Sequence, residues 1–329
     1  MKKITIFALV LSVLAMPVLA GGQSDEEKTV KIGISKIVEH PALNAIEQGI
    51  QDELAALGYA DAEYDLQNAA GDMNTASQIA AMFKMEKVDV AVGIATPTAI
   101  ALATGIKDQP VVFSAVTDPV GAGLVDNLEE GKNNVTGISD MTPVQMQIGI
   151  IADLGNVKSI GHIYSSGEPN AVKLAEYAEE GCRDRGIEFV AATVANSSEV
   201  MQAAASIANK VDAIYLSTDN TVFSALGSVV EVATKAGIPV FTADTTSAVD
   251  SGVLGAYGFD YYKLGRATGK LVARILEGED PASIPTQFMT EASDLDLVLN
   301  LDVAEALGLS IPDALVKDAT TVVKDGKVQ

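Results

Sequence analysis

Val88-Asp89-Val90-Ala91-Val92, followed at 109–115 by Gln-Pro-Val-Val-Phe-Ser-Ala, returns later in the chain as Val211-Asp212-Ala213-Ile214-Tyr215, followed at 237–243 by Gly-Ile-Pro-Val-Phe-Thr-Ala. Each copy is followed by a glycine-punctuated return to apolar residues, at Gly123-Leu124 and at Gly252-Val253-Leu254. A repeat of this length is a duplicated domain, not a solenoid. Working outward, short β-branched runs alternate with longer helical patterns. The first copy predicts strands at 30–34, 62–66, 88–93, 110–115 and 135–138, with helices at 42–57, 73–84, 97–104 and 122–127. The second predicts strands at 159–164, 188–193, 213–217, 239–243 and 252–258, with helices at 170–185, 198–208, 223–236 and 261–276. That alternation implies βαβ units and parallel sheets covered on both faces. The expected fold is α/β, two similar lobes joined by several strands around a cleft. Crossovers are expected near 138–143, after Ala256 and near Pro285.

Composition narrows the functions. The chain has 329 residues, enough for about two domains at roughly 150 residues each. It is 48% hydrophobic, with 22 basic against 44 acidic residues and a net charge of −22. Such a surface repels phosphate backbones, so nucleic acid is excluded as a partner. One cysteine, Cys182, and two histidines, His40 and His162, rule out an internal disulfide framework and leave little for a zinc cluster. Lys2 and Lys3 precede an apolar run from Ile4 to Ala20 that ends in Val18-Leu19-Ala20, which reads as a secretory signal peptide cleaved after Ala20. Gly22 stands where a lipobox would place its cysteine. The expected product is a periplasmic monomer without a lipid anchor. Its expected segments are a signal peptide at 1–20 and a flexible leader at 21–29. The first lobe spans 30–139 plus about 259–285, and the second 140–258 plus about 286–329.

In open parallel sheets ligands bind beyond the carboxyl ends of the strands. The residues there are polar and helix-capping. Strand-end positions mark Thr96, Thr98, Asp140, Asp219, Asn220 and Asp244 as candidate ligand contacts, beside Glu39, His40, Ser114, Thr117, Asp118, Ser165, Ser166 and Asn170. Hydroxyls and free amides at helix N-termini suit a carboxylate. Glu39, Asp219 and Asp244 on the same rim suit an ammonium. Together they describe an amino-acid ligand. Each residue also has a plain structural reading, as a helix cap or a turn former. Phe113, Tyr164, Tyr215 and Phe241 are the aromatic residues available to pack on a ring, although each also reads as core. No dinucleotide, Walker, nucleophile-elbow, metalloprotease or EF-hand motif is present, which favours binding without cofactor, metal or catalysis.

Three blocks, Ile34–Asn44, Val112–Pro119 and Tyr164–Asn170, together resemble the ABC transporter substrate-binding proteins of the tryptophan/tyrosine type. The resemblance spans the whole mature chain. It implies the first type of periplasmic-binding-protein fold, two Rossmann-like lobes joined by a multi-strand hinge. It further implies an aromatic amino acid in the cleft and an ABC permease as partner. It carries Glu39, His40, Ser114, Thr117, Asp118, Ser165, Ser166 and Asn170 over as cleft positions. A ligand-responsive sensory protein, a binder of another small solute such as an aliphatic amino acid, and a secreted enzyme acting on a small molecule in the same cleft are the alternatives.

Overall fold

In the computed structural model the described residues are 29–154, 157–289 and 294–329. The expected signal peptide and nearly all of the leader lie outside them. The first lobe opens with β1 (Lys31–Lys36), α1 (Pro41–Ala56), β2 (Glu63–Asn68), α2 (Met73–Glu86), β3 (Val90–Ile94), α3 (Thr96–Gly105), β4 (Val111–Ser114) and β5 (Val135–Ser139). The second follows with α4 (Val144–Asp153), β6 (Ser159–Ser165), α5 (Pro169–Asp184), β7 (Glu188–Val194), α6 (Val200–Ile207), β8 (Ala213–Leu216), α7 (Asn220–Phe223), α8 (Leu226–Ala236), β9 (Val240–Thr242) and β10 (Gly255–Phe259). The chain then recrosses into α9 (Tyr261–Leu276) and β11 (Gln287–Phe288). It ends with β12 (Leu295–Asn300), α10 (Leu301–Ala306), α11 (Asp313–Asp318), β13 (Thr321–Lys324) and β14 (Lys327–Val328).

Two sheets result. One runs β11-β5-β4-β3-β1-β2, parallel throughout, and the other β14-β13-β12-β10-β9-β8-β6-β7. Stripped of its last additions, the second repeats the order of the first strand for strand, so the duplication read from the sequence is a duplication of topology. It reaches single side chains. Asp89, just before β3, accepts the backbone amide of Lys31 at 2.9 Å, and Asp212, just before β8, accepts that of Ser159 at 2.9 Å. Each aspartate pins the start of its lobe's first strand, β1 or β6, at the same place. Every residue of β3 and of β8 is buried, as a parallel strand covered on both faces requires.

The described chain passes between lobes three times: through 140–143, at Asp260, and between β11 and β12. The last two crossings fall a few residues beyond the expected ones, because β10 runs to Phe259 and β11 pairs with β5 at Ile138 and Ser139. α9 packs on α1 and joins the first lobe's core through Tyr261, Leu264, Leu271 and Val272. Other differences are local. The helix expected at 122–127 is a run of turns, where Gly123 takes φ 73° and the Asp118 carboxylate holds Gly121 N–H at 2.8 Å. The helix expected at 223–236 is split after Phe223, because Asp219 caps the short α7 ahead of it. α4 was not anticipated; its glycine and run of isoleucines mask the helical period.

Candidate functional site

A cavity of about 380 Å³ of atom-free space, mouth included, lies between the lobes. Its wall is made where strands end. His40 follows β1, Thr96 follows β3, Thr117 follows β4, and Asp140 follows β5. From the other lobe Asn170 follows β6, Asp219 and Asn220 follow β8, and Asp244 follows β9, while Tyr261 follows β10 where the chain has returned to the first lobe. These eight candidates from the sequence, and the unforeseen Tyr261, meet in one place. Ala42, Leu43, Ala95, Ala115 and Phe223 supply the apolar wall. Ala95 and Ala115 hold positive φ, 73° and 56°, a strained backbone that costs an alanine roughly 1–3 kcal/mol and gathers at functional sites.

Electrostatics of the cavity is one-sided. Asp140, Asp219 and Asp244 are buried, and no lysine or arginine lines the cavity among the described residues. Asp140 accepts the Thr117 hydroxyl at 3.2 Å and the Tyr261 hydroxyl at 3.1 Å, yet burial still pushes its carboxyl up to about 6. Burial, then the neighbouring Glu168, pushes Asp219 upward against the backbone amides of Val222 and Ser165 that favour its charge. Asp244 accepts the amides of Thr246 at 2.9 Å and Ser247 at 3.2 Å. Burial lowers His40, although the Asp244 carboxylate opposes it. The site thus holds an excess of acceptors and lacks a cation.

Four more polar atoms on this wall are buried without a hydrogen-bond partner among the described residues: His40 Nδ1 and Thr96 Oγ1 from the first lobe, Asn170 Oδ1 and Thr218 Oγ1 from the second. Buried polar groups are nearly always paired, so four orphans on one wall single this cavity out as the candidate ligand site. The lobes touch across it: His40 Nε2 lies 3.5 Å from Asn220 Oδ1, and the His40 ring centroid 6.2 Å from that of Phe223.

The remaining candidates are placed elsewhere. Thr98 turns its hydroxyl onto the carbonyls of Ile94 and Ala95, and Ser114 is bonded to Thr268 at 2.7 Å between β4 and α9. Glu39 is exposed and bonded to Asn44. Asp118 and Ser166 line a separate groove that also borders Thr96 and Asn170, and Ser165 lines a further one. Phe113, Tyr215 and Phe241 are core, and Tyr164 stacks on His162, so none of the expected aromatic residues reaches the ligand space. Phe223 and Tyr261 take that place; Tyr261 stands just after β10, where a strand-end signal points to it, whereas Phe223 closes the short α7 beyond β8 and has no such signal.

The profile of the family described as ABC transporter substrate binding protein matches residues 31–323. This chain belongs to that family. Among relatives of this substrate-binding protein is the Tyrosine-binding protein of Clostridioides difficile (strain R20291), 36% identical over 291 residues, 87% of this chain and 83% of that one. Among solved structures, the ABC domain from Streptococcus pneumonia in complex with L-Trp is 36% identical, with a TM-score of 0.86 over 90% of this chain and 100% of that one. The ligand-free, open structure of CD0873 from Clostridium difficile is 34% identical, with a TM-score of 0.67 over 90% and 99%. At nearly equal identity the substrate-binding protein superposes better on the ligand-bound chain than on the open one. That agrees with the contact of His40 on Asn220: the two lobes are closed. The fold is that of periplasmic binding proteins of the first type.

Proposed function

We propose that this chain is the extracytoplasmic receptor of an ABC importer, that it binds tyrosine or tryptophan between its lobes, and that it presents the closed form to its permease. One observation carries this reading: buried acceptors and orphaned polar atoms from both lobes surround a cavity that has an apolar wall and no cation. An α-ammonium suits Asp140 and its acidic neighbours. The hydroxyl of Thr96, at the first turn of α3, suits a carboxylate. Phe223 and the small side chains of Ala42, Ala95 and Ala115 leave space for a flat ring. The L-Trp held by one relative and the printed name of the other support an aromatic amino acid.

The closing mechanism follows from the orphans. Each buried polar atom without a partner costs about 1–3 kcal/mol, so the empty closed form is disfavoured by several such penalties. A ligand that satisfies atoms of both lobes removes them only when the lobes are together, which shifts the population to the closed state. A thermal-shift screen of the twenty amino acids tests the proposal. Ligand at 100 times its Kd adds about 2.7 kcal/mol, so L-tyrosine or L-tryptophan should raise the melting temperature visibly. Small-angle scattering should show the molecule contracting with the same ligand. A screen in which only aliphatic amino acids, or none, move the melting point overturns the aromatic reading.

A further inference from the structure

His40 and Glu168 occupy the same position in the two lobes. Each is the N-cap of the helix after its lobe's first strand, β1 or β6, each precedes a proline, and neither side chain caps its own helix. Both are buried and turn to Asn220 instead. Glu168 accepts at both oxygens: Oε1 takes the Thr221 amide at 2.9 Å and its hydroxyl at 2.7 Å, and Oε2 takes the Asn220 amide at 3.3 Å and the Asn220 side-chain Nδ2 at 2.5 Å. Donors that cannot reverse, two backbone N–H groups, fix this carboxylate as acceptor. The Asn220 side chain must then offer its NH2 to Glu168 and its carbonyl oxygen across the cleft. A carbonyl oxygen only accepts, so His40 Nε2, 3.5 Å away, must carry the proton. In neutral imidazole the other nitrogen is then a bare lone pair, and His40 Nδ1 is one of the four orphaned atoms on the cavity wall.

We infer that Glu168 is a positioning residue which, through Asn220, fixes His40 with its proton on Nε2, so that Nδ1 accepts a hydrogen bond from the ligand. This rests on the cavity being an amino-acid site. The ligand's share is an N–H or O–H donor. Because Asn220 and Glu168 belong to the second lobe and His40 to the first, the tautomer is set only when the lobes meet. The chain holds an internal reference in its other histidine. His162 Nδ1 lies 2.9 Å from the Tyr215 carbonyl oxygen, so His162 carries the opposite tautomer, with its proton on Nδ1.

Nitrogen-15 NMR of the imidazoles in the full chain, with L-tyrosine or L-tryptophan at saturation, reads both tautomers in one spectrum. His40 should be protonated at Nε2 and His162 at Nδ1. In Glu168→Gln the glutamine oxygen stays with the Thr221 amide and its NH2 faces Asn220. The Asn220 amide then turns over, and His40 should switch to a proton on Nδ1, with binding weakened about tenfold or more, the loss of one acceptor to a charged donor. An unchanged His162 signal shows that the variant is folded; in Asn220→Leu, a second variant, His40 should lose its single tautomer. Wild-type protein that binds ligand with the His40 proton on Nδ1, or Glu168→Gln with the wild-type tautomer, overturns this inference alone. Wild-type protein that binds neither amino acid overturns the amino-acid reading and this inference with it.

Discussion

Asp140 is buried at the first crossing between the lobes, held by Thr117 and Tyr261, with its carboxyl pushed up to about 6 from an ordinary 3.8. In the unliganded protein the raised value means that protonation of this group favours the fold below pH 3.8, and that the contribution is gone once the pH has risen past about 6. Ligand reverses the sign, because an ammonium pairs with the ionised form. Affinity for L-tyrosine should therefore hold near pH 7 and fall about tenfold per pH unit below 6, with close to one proton released per ligand. Calorimetry in buffers of different ionisation enthalpy measures both. Asp140→Asn should weaken binding and flatten the slope; an affinity unchanged between pH 7 and pH 5 in wild-type protein would remove Asp140 from the ammonium's partners.

At the scale of elements the closest packing is that of α1 on α9. Gly49 of α1 and Gly265 and Gly269 of α9 face the partner backbone: a methyl group at Gly265 would run into the Ile46 carbonyl, and one at Gly269 would lie 2.9 Å from that of Ile50. Arg266 closes the seam with an ion pair to the buried Glu53 at 2.6 Å. Gly265→Ala gains up to about 1 kcal/mol of helix propensity. Overpacking costs about 1–3 kcal/mol, so the variant should be the less stable one, with a lower urea midpoint. The repeated strands and most of the helices up to α9 were legible, because parallel strands buried on both faces read as unbroken apolar runs, as in Val111-Val112-Phe113, whereas β11 to β14, α10 and α11 were not expected. α4 and the turns at 122–127 escaped, since glycine there serves packing or a left-handed turn and period alone does not tell which. Half of the site was legible for the same reason: position after a strand located Thr96, Asp219 and Asp244. Position could not tell Thr96, which faces the cavity, from Thr98, which bonds its own helix turn, because that depends on side-chain direction within one turn. Glu168 shares with His40 a place before a proline just after a strand, but nothing local tells that its carboxylate turns to Asn220.

Taken whole, the molecule is two copies of one topology whose crossings are part of the site. Asp140 lies on the first crossing and Tyr261 directly after the second, bonded to each other. The second crossing also has a consequence for the order in which the chain becomes structured. α9 covers α1, and β11 completes the first sheet, yet both lie beyond residue 260. A chain made only as far as Asp260 has Ile46 and Ile50 facing water where α9 belongs. A fragment ending at Asp260 should be cut rapidly within residues 30–139 by a dilute protease, whereas the full chain resists; a protected first lobe in the fragment would contradict this. The earliest residues to leave a ribosome are thus among the last to be sealed. Were the chain exported unfolded, as the signal peptide expected at 1–20 implies, that delay would keep it threadable until its synthesis is almost finished.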